Sequence, residues 1–182
     1  MTLDTEEARR VRYWEIVQSF TLMDDVFMTA VFQNSLPCVD LVLRIILDRP
    51  DLHATRVVTQ DTMKNLHGHD VRLDIHAFAN GQEFNIEIQR TKRGAVPRRA
   101  RYHSSMMDAS ALPDAADYEK LPESYVIFIT ETDVLGKGKQ LYVIDRVIKG
   151  DGEPFDDGSH IVYVNGSIAD TETPLGRLMH DF

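Results

Sequence analysis

Two runs of alternating residues, VRLDIHAFA at 71–79 and QEFNIEIQR at 82–90, flank Asn80-Gly81. An Asn-Gly pair between alternating runs is the strongest short-range hairpin signature. A two-residue turn sets Ala79 opposite Gln82, His76 opposite Asn85, Asp74 opposite Glu87 and Arg72 opposite Gln89. Side chains alternate faces along a strand. Arg72, Asp74, His76, Asn85, Glu87 and Gln89 therefore share one face, and Leu73, Ile75, Ala77, Phe84, Ile86 and Ile88 share the other. Like charges directly opposite on a sheet destabilise it by up to roughly 1 kcal/mol. A divalent cation between Asp74 and Glu87 would turn that repulsion into binding, and hard carboxylate oxygens suit Mg²⁺ or Mn²⁺. The competing reading is a solvated sheet face on which Arg72 relieves the repulsion diagonally. The register decides, because a three-residue loop would put the two carboxylates on opposite faces.

The segment that follows, RTKRGAVPRRAR at 90–101, holds six basic residues and no acid: Arg90, Lys92, Arg93, Arg98, Arg99 and Arg101. It lies close to Glu87 and Gln89 by connectivity alone. Pro97 suits the first turn of a helix over 97–111. Arginines there oppose the helix dipole, and an arriving anion would be held by them and by free backbone N–H groups. A solvated charge run is the alternative. Tyr102, Met106 and Ala109 share a side of this helix that suits packing on the sheet.

The elements that must position these residues follow from periodicity. Ala8, Val11, Trp14, Val17 and Phe20 predict a helix over 6–20. Thr21, Asp24 and Asp25 are start signals for a second helix through Phe27, Val31 and Phe32. Pro37 opens a third, with Val39, Val42, Leu43, Ile46 and Leu47 as its buried stripe. Residues 54–60 read as a strand and 61–70 as a loop. The apolar run SYVIFIT at 124–130 suits a strand buried on both faces. Residues 140–145 and 160–164 read as further strands. This order gives an α/β domain with helical cover.

Composition narrows the function. The chain has 182 residues with 20 basic and 29 acidic, a net charge of −9, which excludes a passive charge-driven nucleic-acid coat. With six basic residues gathered in one segment, a local phosphate site is still open. The single Cys38 excludes an intramolecular disulfide and a zinc site built on paired cysteines. No apolar run is long enough to span a membrane, and MTLDTEEARR lacks the apolar core of an export signal. The expectation is a cytoplasmic protein without membrane attachment. His67-Gly68-His69-Asp70 sits in the expected loop without a further soft ligand. Residues 135–139, LGKGK, lack the phosphate-loop pattern.

Asp74, Glu87-Ile88-Gln89 and the basic helix together resemble the PD-(D/E)XK nuclease superfamily. The chain looks most like its branch of PD-(D/E)XK nuclease family transposases, related to the recombination-promoting (Rpn) nucleases. The likeness runs through LMDDVFMTAVFQ at Leu22–Gln33, VRLDI, FNIEIQR, RRARYHSSMMDA at 98–109, LPESYVIFITETDVLGKGK, DGSHIVYVNGS and PLGRLMHDF.

The resemblance implies a single domain over 1–182 with a restriction-endonuclease-like mixed sheet. Its core is helix, three strands, helix and strand, with flanking helices and additional C-terminal strands. It implies a metal-dependent endonuclease acting on DNA, associated with mobile elements or recombination, using Mg²⁺ or Mn²⁺. Asp74, Glu87 and the Ile88 carbonyl would hold the metal, with Asp40 on the third helix as the candidate further acid. Asp24 and Asp25 rank below it, since capping already explains them. Gln89 stands where the superfamily more often has lysine, as is usual in this branch, and would orient the attacking water. Arg90, Lys92, Arg93, Arg98, Arg99, Arg101 and Tyr102 would bind nucleic acid. Relatives tend to continue beyond the final residues, so a C-terminal extension is expected to be missing, and a homodimer is compatible with the resemblance. The rival reading is an inactive nucleic-acid-binding or protein-interaction module that retains the fold, with 140–145 and 160–164 as an association edge.

Overall fold

The hairpin forms as its turn chemistry requires. Asn80 and Gly81 both adopt positive φ, 50° and 78°, the backbone that a tight two-residue turn needs. The computed structural model describes residues 6–182; Met1–Thr5, the start of the segment read as lacking an export signal, lies outside the described residues. Along the chain run α1 (Glu6–Gln18), α2 (Asp25–Phe32), α3 (Leu36–Leu47), β1 (Ala54–Met63), β2 (Val71–Ala79) and β3 (Gln82–Gln89). A 3₁₀ turn at Lys92–Ala95 leads into α4 (Pro97–Ala111). Then come β4 (Ser124–Thr130), β5 (Leu141–Ile144), β6 (Ser159–Asn165) and α5 (Pro174–His180). The strands make one six-stranded sheet in the order β1-β2-β3-β4-β6-β5. Its β3–β4 and β4–β6 pairs are parallel and the others antiparallel. This mixed sheet with helical cover is consistent with a restriction-endonuclease-like fold.

Two apolar layers sandwich the sheet. Val39, Val42, Leu43 and Ile46 of α3, with Met28 and Phe32 of α2 and Leu178 of α5, cover Ile75, Ala77, Phe84, Ile86, Ile127 and Ile129. Ala100, Met106 and Met107 of α4 cover Val126, Phe128, Tyr163 and Leu73 on the other side. The α3 stripe is the one its periodicity predicts. On α4 the inward residues are Ala100, His103, Ser104, Met106 and Met107, so Ala109 faces outward and Tyr102 sits at the edge. The stripe on α1 is not buried: Val11 is 54 % exposed and Trp14 63 %, and Phe20 beyond its end stacks on Phe27 of α2. Of the two strands read as an association edge, β6 is interior and β5 lies at the edge opposite β1, with Val143 exposed.

The alternation expected along β2 breaks. Ile75 and Ala77 enter the layer under α3, whereas Val71 and Leu73 enter the layer under α4. The break coincides with Gln60 on β1, which adopts φ 55°. Gln60 drops out of a pairing that runs Thr59 with Ile75, then Asp61 with Leu73. The register is the same on both sides of Gln60, so no residue is inserted, and the left-handed backbone breaks the pleat at that one position.

Candidate active site

The β2–β3 ladder has the expected register but ends at Ile75 with Ile86. Beyond that pair, β2 stays with β1, Leu73 opposite Asp61, and β3 stays with β4, Glu87 opposite Phe128. The strands part where Asp74 and Glu87 stand. Each carboxylate reaches across the gap to the other strand's backbone. Asp74 Oδ2 accepts the Ile88 N–H at 3.0 Å, and Glu87 Oε1 accepts the Asp74 N–H at 3.3 Å. These bonds satisfy donors that the ended ladder leaves open.

The two acids sit in different surroundings. The Glu87 side chain is fully buried (0 % exposed) and pairs with Arg99 Nη2 at 2.9 Å. Asp74 opens onto a cleft of about 1060 Å³. Burial first, and then the charge of Glu87, push its carboxyl up to about 6, against the pull of the Ile88 N–H and Arg99. Asp25, at the first turn of α2, lines the same cleft and adds to that rise. Its Oδ1 accepts from Gln60 Nε2 at 3.0 Å. Sequence reasoning ranked Asp25 below Asp40 because a helix start accounts for an acid there.

Asp40 lies outside the cleft. Its oxygens accept from the Ala54 N–H at 2.6 Å and Arg44 Nη2 at 2.9 Å, with His53 Nδ1 at 3.5 Å. It fastens α3 to the start of β1, the hairpin end of the sheet, whereas the cleft lies at the opposite end of β2. The structure thus gives Asp40 these partners and sets it apart from Asp74 and Glu87, beside which it was expected. Among the described residues, no group of three or more His, Cys, Asp or Glu side chains is gathered as a metal cage. A cation here would complete its shell with water and phosphate, the usual manner for Mg²⁺.

The basic residues divide by task. Arg98 and Arg99 line the cleft. Arg99 is held on three sides, since Nη1 donates to Gly94 O at 2.9 Å and Nε to His103 Nε2 at 3.1 Å, besides the bond to Glu87. Nε2 of His103 is thus an acceptor, which puts the proton of the neutral ring on Nδ1. Asn85 Nδ2 lies 3.0 Å from that nitrogen while its Oδ1 is buried without a partner; exchanging the two amide atoms gives the Nδ1–H an acceptor, and the hydrogen-bond pattern assigns the amide that way. Arg90 instead donates to Met23 O at 3.2 Å and Asp24 Oδ1 at 2.9 Å, tying the end of β3 to the entry of α2. Lys92 and Arg93 are exposed on the 3₁₀ turn, and Arg101 is exposed on α4; none of the three lines the cleft.

Gln89 and Ile88 line the cleft, as expected. A Cβ on Gly94 would collide with Gln89 Oε1, so the glycine makes room for that side chain. Tyr102 builds the cleft wall. Its hydroxyl donates to His69 O at 2.7 Å and accepts from Asn65 Nδ2 at 2.8 Å. Asp70 closes the same loop through the Asn65 N–H at 3.0 Å and Lys64 Nζ at 2.6 Å. His76 points away from the cleft, buried between Asp61 and Glu83 at 2.7 Å each. Burial favours its neutral form, and the two carboxylates more than offset this, raising its pKa. The middle of the hairpin's polar face is therefore covered rather than solvated, with Asn85 and Glu87 fully buried, whereas Arg72 is exposed and Asp74 and Gln89 are half-buried.

A family model described as PD-(D/E)XK nuclease family transposase matches residues 51–169. No curated protein and no solved structure matches the chain. No single helix among the described residues is long and apolar enough to cross a membrane.

Proposed function

The chain belongs to the PD-(D/E)XK nuclease family transposases, and from that membership we propose that it is a divalent-metal-dependent endonuclease that hydrolyses DNA phosphodiester bonds. The observation that carries this reading is the pair Asp74 and Glu87 at the parting of two strands, beneath a cleft lined by Arg98 and Arg99. A donor set of two carboxylates fits Mg²⁺ or Mn²⁺. It supplies hard oxygens, its two like charges are offset by a single guanidinium, and Asp74 opens onto space for water and phosphate. Asp74, Glu87 and the Ile88 carbonyl would hold the ion, with Asp25 as the nearby further acid. When bound, the ion polarises the phosphate and lowers the pKa of a coordinated water.

The other roles belong to side chains of this chain. The neutral amide of Gln89 orients the attacking water by hydrogen bonding and takes no proton from it. Arg98, near the N-terminus of α4, pairs with non-bridging phosphate oxygens, where the helix dipole also favours an anion. The local patch supplies this affinity despite a net charge of −9, so binding weakens steeply with salt. The family's description points to mobile elements or recombination as the setting. A plasmid-nicking assay tests the reading. Nicking is expected with Mg²⁺ or Mn²⁺, is expected to stop with EDTA, and is expected to be lost in Glu87→Gln. Nicking in EDTA, or an active Glu87→Gln protein, would overturn it.

A further inference from the structure

Glu87 lies fully buried beneath the cleft, which it does not line, and a lone carboxylate without solvent is costly unless paired. Its Oε1 faces the Asp74 N–H at 3.3 Å and His103 Nδ1 at 3.5 Å. Its Oε2 takes Arg99 Nη2 at 2.9 Å. Asp74, by contrast, has a backbone N–H as its hydrogen-bond donor. The cation paired with this carboxylate is therefore a guanidinium, and it occupies one of the two oxygens that Glu87 could offer an ion.

We propose that Arg99 is the resident counter-cation of Glu87: it keeps the buried carboxylate neutralised in the absence of metal, and a divalent ion binds by competing with it. The inference rests on the metal-site reading above. Two further contacts make Arg99 suited to the task. Gly94 O and His103 Nε2 are neutral acceptors that hold the guanidinium independently of Glu87. Asn85, fully buried behind His103, fixes the ring tautomer that accepts from Arg99. Were Glu87 drawn to a metal, Arg99 would keep these two bonds and remain at the site. Its charge then opposes metal entry throughout. The site thus stays folded without metal, at the expense of metal affinity.

Removing the charge while keeping a polar side chain separates these effects. In Arg99→Gln, thermal unfolding in EDTA is expected to begin at a lower temperature. Calorimetric Mn²⁺ affinity is expected to rise about tenfold or more, because a positive charge within a few ångströms of the ion has gone. The stabilisation by Mn²⁺ is expected to grow accordingly. Arg99→Lys keeps the charge and gives up the planar fork, so its Mn²⁺ affinity is expected to stay near that of the wild type. If Arg99→Gln does not fold in EDTA, the wild type still decides. The side-chain nitrogen resonances of Arg99 are expected to shift on Mg²⁺ addition as Glu87 is given up, and unshifted resonances would overturn the inference.

Asp74→Asn separates the two readings. Mn²⁺ binding that Asp74→Asn abolishes and Arg99→Gln leaves unchanged or weaker would end this inference alone. No binding in the wild type or in Arg99→Gln would end the metal-site reading and this inference together.

Discussion

Asp74→Asn is expected to stabilise the metal-free protein at neutral pH while removing its proposed activity. Folding raises the Asp74 carboxyl from 3.8 to about 6, through burial and then through the charge of Glu87. The folded state therefore binds this proton more tightly than the unfolded chain. Stability from this group is complete below 3.8, falls as pH rises toward 6, and stays low above it. The full loss corresponds to about 3 kcal/mol, and the open cleft reduces it to about 2 kcal/mol. Asparagine carries no charge at any pH and retains an oxygen for the Ile88 N–H, which lies 3.0 Å away in the wild type. Urea unfolding in EDTA measures the difference directly. The variant is expected to be more stable by about 2 kcal/mol near pH 8, with the advantage vanishing near pH 4. A variant no more stable than the wild type near pH 8, or a gap that ignores pH, would refute the reasoning.

His76 gives the pH profile a second feature. Its raised pKa, set by Glu83 and Asp61 against burial, contributes stability below 6.5 that is lost as pH rises through the folded value; His76→Gln is expected to flatten unfolding free energy in that window. Gly94→Ala puts a methyl where Gln89 Oε1 lies. It is expected to lower the nicking rate about tenfold or more with little change in DNA binding, measured by single-turnover assays and gel shifts. Tyr102→Phe removes the hydroxyl that joins α4 to His69 and Asn65. It is expected to cost about 1 kcal/mol and to speed hydrogen exchange across residues 64–70.

Much of the fold was legible because its signals are local. Asn80-Gly81 sets the hairpin register, the apolar spacing of Val39, Val42, Leu43 and Ile46 sets the face of α3, and the run SYVIFIT marks a central strand. The nearness of Asp74 and Glu87 follows from the same register, although the ladder stops one pair short of them. The parting of β2 from β3 was not legible, because it depends on a left-handed Gln60 and on the parallel partner β4, neither of which periodicity reveals. The ranking of Asp40 over Asp25 failed for a related reason. Both are acids on N-terminal helices, and only the tertiary arrangement shows that Asp40 meets Ala54, while Asp25 meets the cleft. The basic segment was legible as a patch, yet its division of labour is set by partners distant in sequence: Asp24 claims Arg90, and buried Glu87 claims Arg99. The short α5 was missed, though Thr173, Pro174 and Gly176 carried a signal: the Thr173 side chain accepts the Gly176 N–H at 3.0 Å.

Calorimetric titration of Mn²⁺ into the wild type, Asp74→Asn and Asp40→Asn tests the central claim most directly. The account predicts binding to the wild type and to Asp40→Asn, and none to Asp74→Asn. Binding that survives in Asp74→Asn, or that disappears in Asp40→Asn, would contradict a metal centre at the parting of β2 and β3.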